Sequence, residues 1–305
     1  MFSKRQNEPQ YKERLTALER KNLKWIYLFL IPSAIVFIFF YLIPIVTVIA
    51  TSFTRWNGFT APEWVGLQNY VRLFGMSSFQ ISFRNVLVWS LIAGTVHVGF
   101  GVLVALIFFQ APPGWKFVRT IFMIPNVTSA AAWAMIYRFV FHDDFGLLNN
   151  FIRFFNPYFH VNWFFESPAA FWAITFTWVF YSVVVSLVVL SDLMAIPSEL
   201  IEAARIDGAR GIDILRLIHL PLCRFSIGTS VIISVTSRIT MFEAIHLTSR
   251  GGPGNDTMNF PLILVRHLTD FNYGPANATA TVMFLIGFVM LLVARKLFRM
   301  DQPVY

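Results

Sequence analysis

Charged residues are scarce in this chain of 305 amino acids. Asp, Glu, Lys and Arg make up 13% of it, whereas roughly 25% is usual for a soluble domain. Hydrophobic residues make up 56%, and 34 residues are Phe. A soluble core that buries so much apolar surface is not expected at this length. The composition therefore excludes an ordinary soluble domain and predicts a membrane protein.

Motifs that carry chemistry are missing as well. Cys223 is the one cysteine, so no intrachain disulfide can form. No G-x-x-x-x-G-K-[S/T] run is present, which excludes the usual phosphate cradle for ATP. No nucleophile motif appears, and the histidines show no metal-ligand spacing. The histidines are His97, His142, His160, His219, His246 and His267. We therefore expect no catalytic residue, no metal site and no cofactor in this chain, and hence no enzyme.

Long apolar runs are abundant. A helix needs about 20 mainly apolar residues to cross a bilayer, and six segments meet this length. They are Trp25–Ala50, Val86–Gln110, Phe117–Phe141, Pro168–Leu190, Pro221–Ile245 and Ala276–Leu297. The first run is about twice as long as the apolar core of a signal peptide and lacks an A-x-A cleavage site, so we interpret it as a retained helix. The sequence predicts an all-α membrane protein with six transmembrane helices.

The basic residues indicate the orientation of these spans. Sixteen of the 24 Lys and Arg residues fall in the two termini and in the second and fourth connections. Cytoplasmic loops carry such an excess, so both termini are expected in the cytoplasm of a bacterial cell, with the spans in its cytoplasmic (inner) membrane. The net charge of +8 then reflects topology and lipid contacts, and not nucleic-acid binding. The predicted parts are a cytoplasmic segment 1–24, a six-helix transmembrane domain 25–298 and a cytoplasmic tail 299–305.

The connection between the fourth and fifth spans contains a second kind of pattern. It carries a mixed charged and apolar segment of helical character that Gly208 is expected to end. Within it stand Glu202-Ala203-Ala204, then Gly208, then Ile218-His219-Leu220-Pro221. This spacing resembles the signature loop of binding-protein-dependent ABC importer permeases: E-A-A, three residues, G, nine residues, I, one residue, L-P. The text "AIPSELIEAARIDGA" is similar to the branch of maltose and glycerol-phosphate permeases. The runs "VGLQNY", "RTIFMIPNV" and "LTSRGGPGNDT" agree in order along the chain.

The resemblance implies partners for this chain. They are a second homologous permease subunit, two ATPase subunits that hold ATP and Mg, and an extracytoplasmic solute-binding protein. The loop at about 195–220 resembles the coupling helix that contacts the ATPase, which assigns that contact to Glu202, Ala203, Ala204, Asp207 and Gly208. The turn-rich outer segment is expected to meet the binding protein through Gly251, Gly252, Pro253 and Gly254.

Two ionisable residues in the fifth predicted span point to a substrate pathway. Arg238 and Glu243 are costly in a bilayer unless they face a polar interior, and Arg238 stands where the family more often has a small or neutral residue. Aromatic residues of the fourth span could stack on sugar rings, so Trp172, Phe176 and Tyr181 join the pathway. Arg238 allows an anionic sugar, either a uronic-acid oligosaccharide or a glycerophosphate ester. A neutral oligosaccharide and a purely structural Arg238 remain open.

Two other functions were weighed against an importer permease. A secondary transporter or channel requires paired acids in the membrane for ion coupling, and Glu243 stands alone. It also leaves the signature loop unexplained. A membrane-embedded enzyme requires a catalytic constellation that the sequence does not contain.

Overall fold

The structure, a computed structural model, describes residues 17–300. The predicted segment 1–24 and tail 299–305 therefore lie largely outside the described residues. From Ala17 to Phe109 the helices are α1 Ala17–Phe37, α2 Ile43–Thr51, α3 Gln68–Gly75, α4 Ser77–Ile92 and α5 Val98–Phe109. The π-helical turns Ile38–Leu42 and Ala93–His97 join α1 to α2 and α4 to α5. The antiparallel strands β1 Thr54–Arg55 and β2 Glu63–Trp64 pair Arg55 with Glu63.

The remaining described chain is helical with short breaks. Its helices are α6 Trp115–Met123, α7 Ala130–Val140, α8 Leu147–Arg153, α9 Ala169–Phe176, α10 Val183–Ala195, α11 Ser198–Ile206, α12 Gly211–Ile214, α13 Leu220–Leu222, α14 Arg224–Ile239, α15 Glu243–His246, α16 Phe260–Thr269 and α17 Tyr273–Leu297. A 3-10 turn, Ile124–Val127, follows α6, and a π-helical turn, Leu215–His219, precedes α13.

Four stretches of helix are long and apolar enough to cross a membrane. They are Trp25–Thr51, Ser77–Phe109, Arg224–His246 and Tyr273–Leu297, which match the first, second, fifth and sixth predicted spans. Two bent helix pairs raise the number to as many as six if each pair is one span. A mostly helical chain with four to six candidate membrane spans is therefore confirmed, and six spans remain a prediction.

The third and fourth predicted spans are not straight helices. The helix of the third bends by 106° between Trp115–Val127 and Ala130–Val140. Pro125 starts the 3-10 turn there, and the Ser129 hydroxyl accepts a hydrogen bond from the Ala132 amide at 3.2 Å, which caps a new helix. The fourth is interrupted between Phe176 and Val183. The expectation of one helix over Pro168–Leu190 was wrong.

The break at 177–182 is stabilised by side chains of two other helices. The Trp133 indole N–H donates to the Thr177 carbonyl at 2.9 Å. Nδ1 of His97 lies 3.2 Å from the Trp178 carbonyl and 3.0 Å from the Val179 carbonyl. Because carbonyl oxygens only accept, this nitrogen carries the proton. Irregular backbone at membrane depth needs such partners, since no water is present there to replace them.

The described residues form two compact units, one up to Ala50 and one from Thr51 onward. Within the second unit, the largest apolar cluster surrounds Trp89, which is fully buried. The Trp89 indole donates to the Thr175 hydroxyl at 2.9 Å and stacks on Phe171 with ring centroids 4.9 Å apart. A second cluster joins α5 to α10. There Gly101 lets the two backbones approach closely, as small residues do in membrane helix packing.

Candidate functional site

A cavity of about 360 Å³ opens beside the break in the fourth predicted span. Three parts of the chain enclose it: the bend between α6 and α7, the irregular segment 177–182, and the junction of α14 with α15. Its lining is Pro125, Asn126, Thr128, Ala130, Trp133, Thr177, Trp178, Tyr181, Ser237, Arg238, Thr240, Met241, Glu243 and Ala244. The cavity thus lies where the third predicted span bends, the fourth is interrupted and α14 gives way to α15.

Arg238 is the main cation of this cavity. It lies in the last turn of α14, and its guanidinium carbon is 4.3 Å from the ring centroid of Trp178. Its Nη1 is 3.7 Å from the Met241 sulfur. Within residues 17–300 no carboxylate forms an ion pair with it. A cation–π contact can stabilise a desolvated guanidinium by about 2 kcal/mol, but the aromatic ring does not neutralise the charge.

Two further donors near Arg238 have no acceptor. The Trp178 indole N–H and the Tyr181 hydroxyl are buried, and neither finds a hydrogen-bond partner in the described part of the chain. Leaving a buried donor unpaired costs about 1–3 kcal/mol. The site therefore presents a surplus of donors, and a ligand that brings acceptor oxygens suits it chemically. Glu243, which is exposed, is the carboxylate in the lining.

The structure brings three of the five predicted pathway residues together. Arg238, Glu243 and Tyr181 all line the cavity. Trp172 lies instead beside a second cavity of about 240 Å³, and Phe176 lines none of the described cavities. Both side chains are 49% exposed on the outer surface of the helices. Trp178 and Trp133 were not predicted, because their contribution depends on a helix break that hydropathy does not reveal.

The predicted coupling segment is a short exposed helix. Helix α11 turns by 70° from α10, and the side chains of Glu202 and Ala203 are exposed. Gly208, at φ +86°, ends the helix as predicted. The Ala209 amide donates to the Ala204 carbonyl at 2.9 Å, and the Gly208 amide donates to the Arg205 carbonyl at 3.1 Å, which is a Schellman cap. No part of the chain between residues 17 and 300 covers the apolar side chain of Ile206, which is 86% exposed.

His219, in the same signature, is held against the transmembrane helices. Its ring meets the edge of Phe109 at 5.4 Å between centroids. Burial lowers the pKa of His219 below its usual value near 6.5, so the imidazole is neutral at pH 7. The end of the signature loop is therefore anchored by packing and not by charge.

The segment Gly251–Gly254 belongs to a loop that is bonded internally. The Thr257 hydroxyl lies 2.7 Å from the Ser249 hydroxyl and donates to the Gly252 carbonyl at 2.8 Å. Asn85 of α4 donates to the Asp256 carbonyl at 2.8 Å. The loop is therefore constrained by its hydrogen bonds, and Gly254 is the exposed residue of the segment Gly251–Gly254.

A cluster that sequence spacing missed follows α7. His142, Asp143 and Asp144 place one possible ligand atom each within 4.8 Å of one another. His142 pairs with Asp143 at 3.0 Å, and the Arg153 guanidinium donates to the backbone carbonyls of Asp143 and Asp144. Because that guanidinium places positive charge next to the cluster, the cluster alone does not amount to a metal site.

Comparisons with known proteins give the family. No protein-family model matches the chain. It is 30% identical over 277 residues to the probable ABC transporter permease protein YesP of Bacillus subtilis (strain 168), over 88% of this chain and 89% of that protein. It is 28% identical over 294 residues to the trehalose/maltose transport system permease protein MalF of Thermococcus litoralis, over 93% and 97% of the two chains.

A solved structure agrees in fold. The crystal structure of a bacterial alginate ABC transporter superposes with a TM-score of 0.79 at 20% identity, over 94% of this chain and 98% of the other. Fold and cavity together define a helical integral membrane protein with a polar cavity between its helices. The chain belongs to the ABC transporter permease family. Several of its relatives are named as permeases of sugar transport systems. The resemblance inferred from the signature loop is thereby confirmed.

Proposed function

We propose that this chain is a permease subunit that moves a sugar derivative with an anionic group across the bacterial cytoplasmic membrane. Candidate cargoes are a uronic-acid oligosaccharide and a glycerophosphate ester. The cargo passes the cavity beside Arg238, and partner ATPase subunits hydrolyse the ATP. A second permease subunit completes the path, and an extracytoplasmic solute-binding protein delivers the cargo. Six spans and cytoplasmic termini are part of this proposal.

The surplus of donors in the cavity carries the proposal of an anionic cargo. Arg238 has no counter-ion in the described chain, and Trp178 and Tyr181 add two unpaired donors beside it. A guanidinium keeps its charge when desolvated and binds carboxylate or phosphate through two parallel hydrogen bonds. A hydroxyl of a neutral sugar could fill one donor, but it would leave the charge unmatched. A carboxylate or phosphate satisfies both the charge and the donors.

A neutral oligosaccharide is the second candidate, and the names of relatives favour it. One relative is the maltodextrin transport system permease protein MdxF, and another is MalF of the trehalose/maltose system. In that case Glu243 and Tyr181 would bond sugar hydroxyls, and Arg238 would hold the helix break in place. The two candidates differ in what the removal of the guanidinium does.

The test is transport by Arg238→Ala and Arg238→Lys variants of the assembled transporter in proteoliposomes. Labelled uronic-acid and neutral oligosaccharides are supplied with the solute-binding protein. Loss of a hydrogen bond to a charged group costs about 1.5–3 kcal/mol, hence roughly 10–150-fold in transport of the anionic cargo. Arg238→Lys should keep part of the activity, because Lys retains the positive charge but lacks the two parallel donors of a guanidinium. Arg72→Ala, outside this cavity, is the control for a general effect of charge.

Unchanged uptake and unchanged substrate-stimulated ATP hydrolysis in Arg238→Ala would show that Arg238 is structural and would remove the argument for an anionic cargo. Loss of uptake of both sugars together with loss of complex assembly would indicate a folding role instead. Transport of a neutral oligosaccharide alone, by wild type and variant equally, would favour the second candidate.

We further infer that α11 docks on the ATPase through Glu202, Ala203, Ala204, Asp207 and Gly208. The exposed small residues support this, because they let a helix enter a groove of the partner closely. The outward Ile206 adds an apolar contact that is costly to leave in water. The point of contact with the binding protein is proposed at Gly251, Gly252, Pro253 and Gly254, where the constrained loop exposes its tip.

A further inference from the structure

The connection between α7 and α9 exposes an unusual number of aromatic rings. Phe154 is 84% exposed and Tyr158 is 95% exposed. We call the group the aromatic surface, and its members are Phe145, Leu147, Phe151, Phe154, Phe155 and Tyr158. At roughly 200 Å² per aromatic side chain, the rings expose on the order of 700 Å². The largest apolar patch on a typical soluble monomer is about 300–600 Å², so this surface is expected to contact an apolar partner.

The aromatic surface is supported by a firm scaffold. The Arg153 guanidinium donates to the carbonyls of Phe159 at 2.9 Å and of Asp143 at 2.7 Å. Buried Asn149 donates to the carbonyls of Asp143 and Val161, each at 2.8 Å, and accepts from Trp163 at 2.7 Å. These bonds direct the Arg153 guanidinium to backbone carbonyls, which would otherwise need water as a donor. The connection therefore presents its rings on a hydrogen-bonded backbone, with the guanidinium of α8 directed to backbone carbonyls.

Helix α8 is apolar on two sides. Leu148 packs against the main apolar cluster, while Leu147 and Phe151 point outward and are exposed. The Phe155 ring lies between two others: its centroid is 5.6 Å from that of Phe151 and 5.3 Å from that of Phe154. Exposed apolar side chains are costly in water and stable against an apolar medium. Since Leu147 and Phe151 meet no core here, lipid is the medium that suits them.

The aromatic surface continues an exposed surface of a candidate span. Phe139 of α7 is 61% exposed, and its ring centroid lies 6.3 Å from that of Phe145. Helix α7 belongs to one of the bent pairs that could cross the membrane. The chain returns to apolar helix at Ala169, so both ends of the connection lie where it meets the bilayer. The Phe139–Phe145 contact thus links the exposed surface of α7 to the start of the connection.

We propose that the aromatic surface lies in the interfacial layer of the bilayer and anchors this connection to lipid. Phe154 and Phe155 face the acyl chains, and the Tyr158 hydroxyl remains among the headgroups. Aromatic side chains with one polar end prefer that layer, and in-plane amphipathic helices bury their apolar side in it. The anchor holds the bent α6–α7 pair, and with it one wall of the cavity, at a fixed depth.

The test uses spin labels and two relaxation agents. In a Cys223→Ser background, Phe154→Cys and Tyr158→Cys are labelled in the full-length permease with its co-purifying subunits. The protein is reconstituted in vesicles of phosphatidylethanolamine and phosphatidylglycerol. Oxygen concentrates in the apolar phase, and a nickel chelate stays in water. The control is Ala61→Cys, which is exposed in the connection between the first two spans.

The label at position 154 should show a several-fold higher ratio of oxygen to nickel accessibility than the control, and position 158 should fall between them. A water-like ratio at 154, equal to that of the control, would overturn the proposal. Low accessibility to both agents would also overturn it, since it would show burial against another subunit. Shielding of 154 that appears only after a solute-binding protein is added would identify that protein as the partner and would equally overturn the proposal.

Discussion

A substitution at Gly101 is the most direct test of the packing between α5 and α10. It lies on α5 against α10, and a Cβ added there would stand 2.5 Å from Val185 Cγ1 and 2.6 Å from Val185 Cβ. Ordinary carbon contacts lie at about 3.5–4.0 Å, so the two helices must separate by about 1 Å. A rotamer change cannot relieve the clash, because Val185 Cβ is fixed to the backbone.

We expect Gly101→Ala to destabilise the protein by about 1–3 kcal/mol, the usual cost of overpacking a filled core. Gly99→Ala is the matched control, because a Cβ at position 99 meets nothing within 4 Å. There, Ala should be neutral or stabilising by up to about 1 kcal/mol through helix propensity. The two neighbouring substitutions should therefore change stability in opposite directions.

The assay is thermal unfolding of the purified transporter at one scan rate, because unfolding of such proteins is often irreversible. At roughly 2–4 °C per kcal/mol, the midpoint of Gly101→Ala should lie several degrees below that of Gly99→Ala. Val185→Ala, added to Gly101→Ala, should recover part of the loss, with a coupling energy of about 0.5–3 kcal/mol. If Gly101→Ala and Gly99→Ala unfold at the same temperature, the close approach of α5 and α10 is wrong.

Three further predictions concern orientation, coupling and docking. Cysteine labelling should place Lys116, Arg210, Arg299 and Lys12, the last of which lies outside the described residues, in the cytoplasm. It should place Gly66, Asn156 and Gly252 on the external side. Labelling of position 210 from outside would reverse the orientation. Ala203→Trp, on the exposed face of α11, should lower transport and ATPase assembly without loss of the inserted permease. The control Gly211→Ala, with open space around it, should leave transport and assembly unchanged. Normal assembly and uptake in Ala203→Trp would remove the coupling role. Gly254→Tyr should weaken stimulation of ATP hydrolysis by the binding protein more than basal hydrolysis, whereas Gly254→Asn, which tolerates a positive φ, should change neither; an equal loss of both rates would indicate misfolding.

The sequence predicted the transmembrane helices well where they are continuous. Trp25–Ala50 and Ala276–Leu297 agree with the structure within a few residues. Hydropathy failed between Phe176 and Val183, because the broken segment is itself rich in Trp, Phe and Tyr and scores as apolar. Helix breaks in a membrane depend on hydrogen-bond partners from distant parts of the chain, and a hydropathy profile contains no information about them.

Side-chain partners of the break could not be found from spacing either. His97 was set aside as one of six scattered histidines, yet it bonds the carbonyls of Trp178 and Val179 from another helix. Tyr181 was selected because aromatic rings bind sugars. It lines the cavity for a different reason, because the chain leaves the helix just before it. Residue type can thus select a side chain that lines the cavity although the assumed continuous helix is wrong.

The break in the fourth predicted span explains how the structure accommodates the Arg238 cation. In a continuous fourth helix the carbonyls of Thr177, Trp178 and Val179 would accept hydrogen bonds from amides within the same helix. Once the helix opens, Trp133 and His97 take the freed carbonyls, and the Trp178 ring is free to lie 4.3 Å from the Arg238 guanidinium. The same opening leaves the Trp178 and Tyr181 donors unpaired beside the charge. The local loss of helix therefore creates both the contact that stabilises the Arg238 cation and the unpaired donors that a cargo can satisfy. Because His97 holds the carbonyls of this break, a substitution of His97 should lower transport although His97 does not line the cavity.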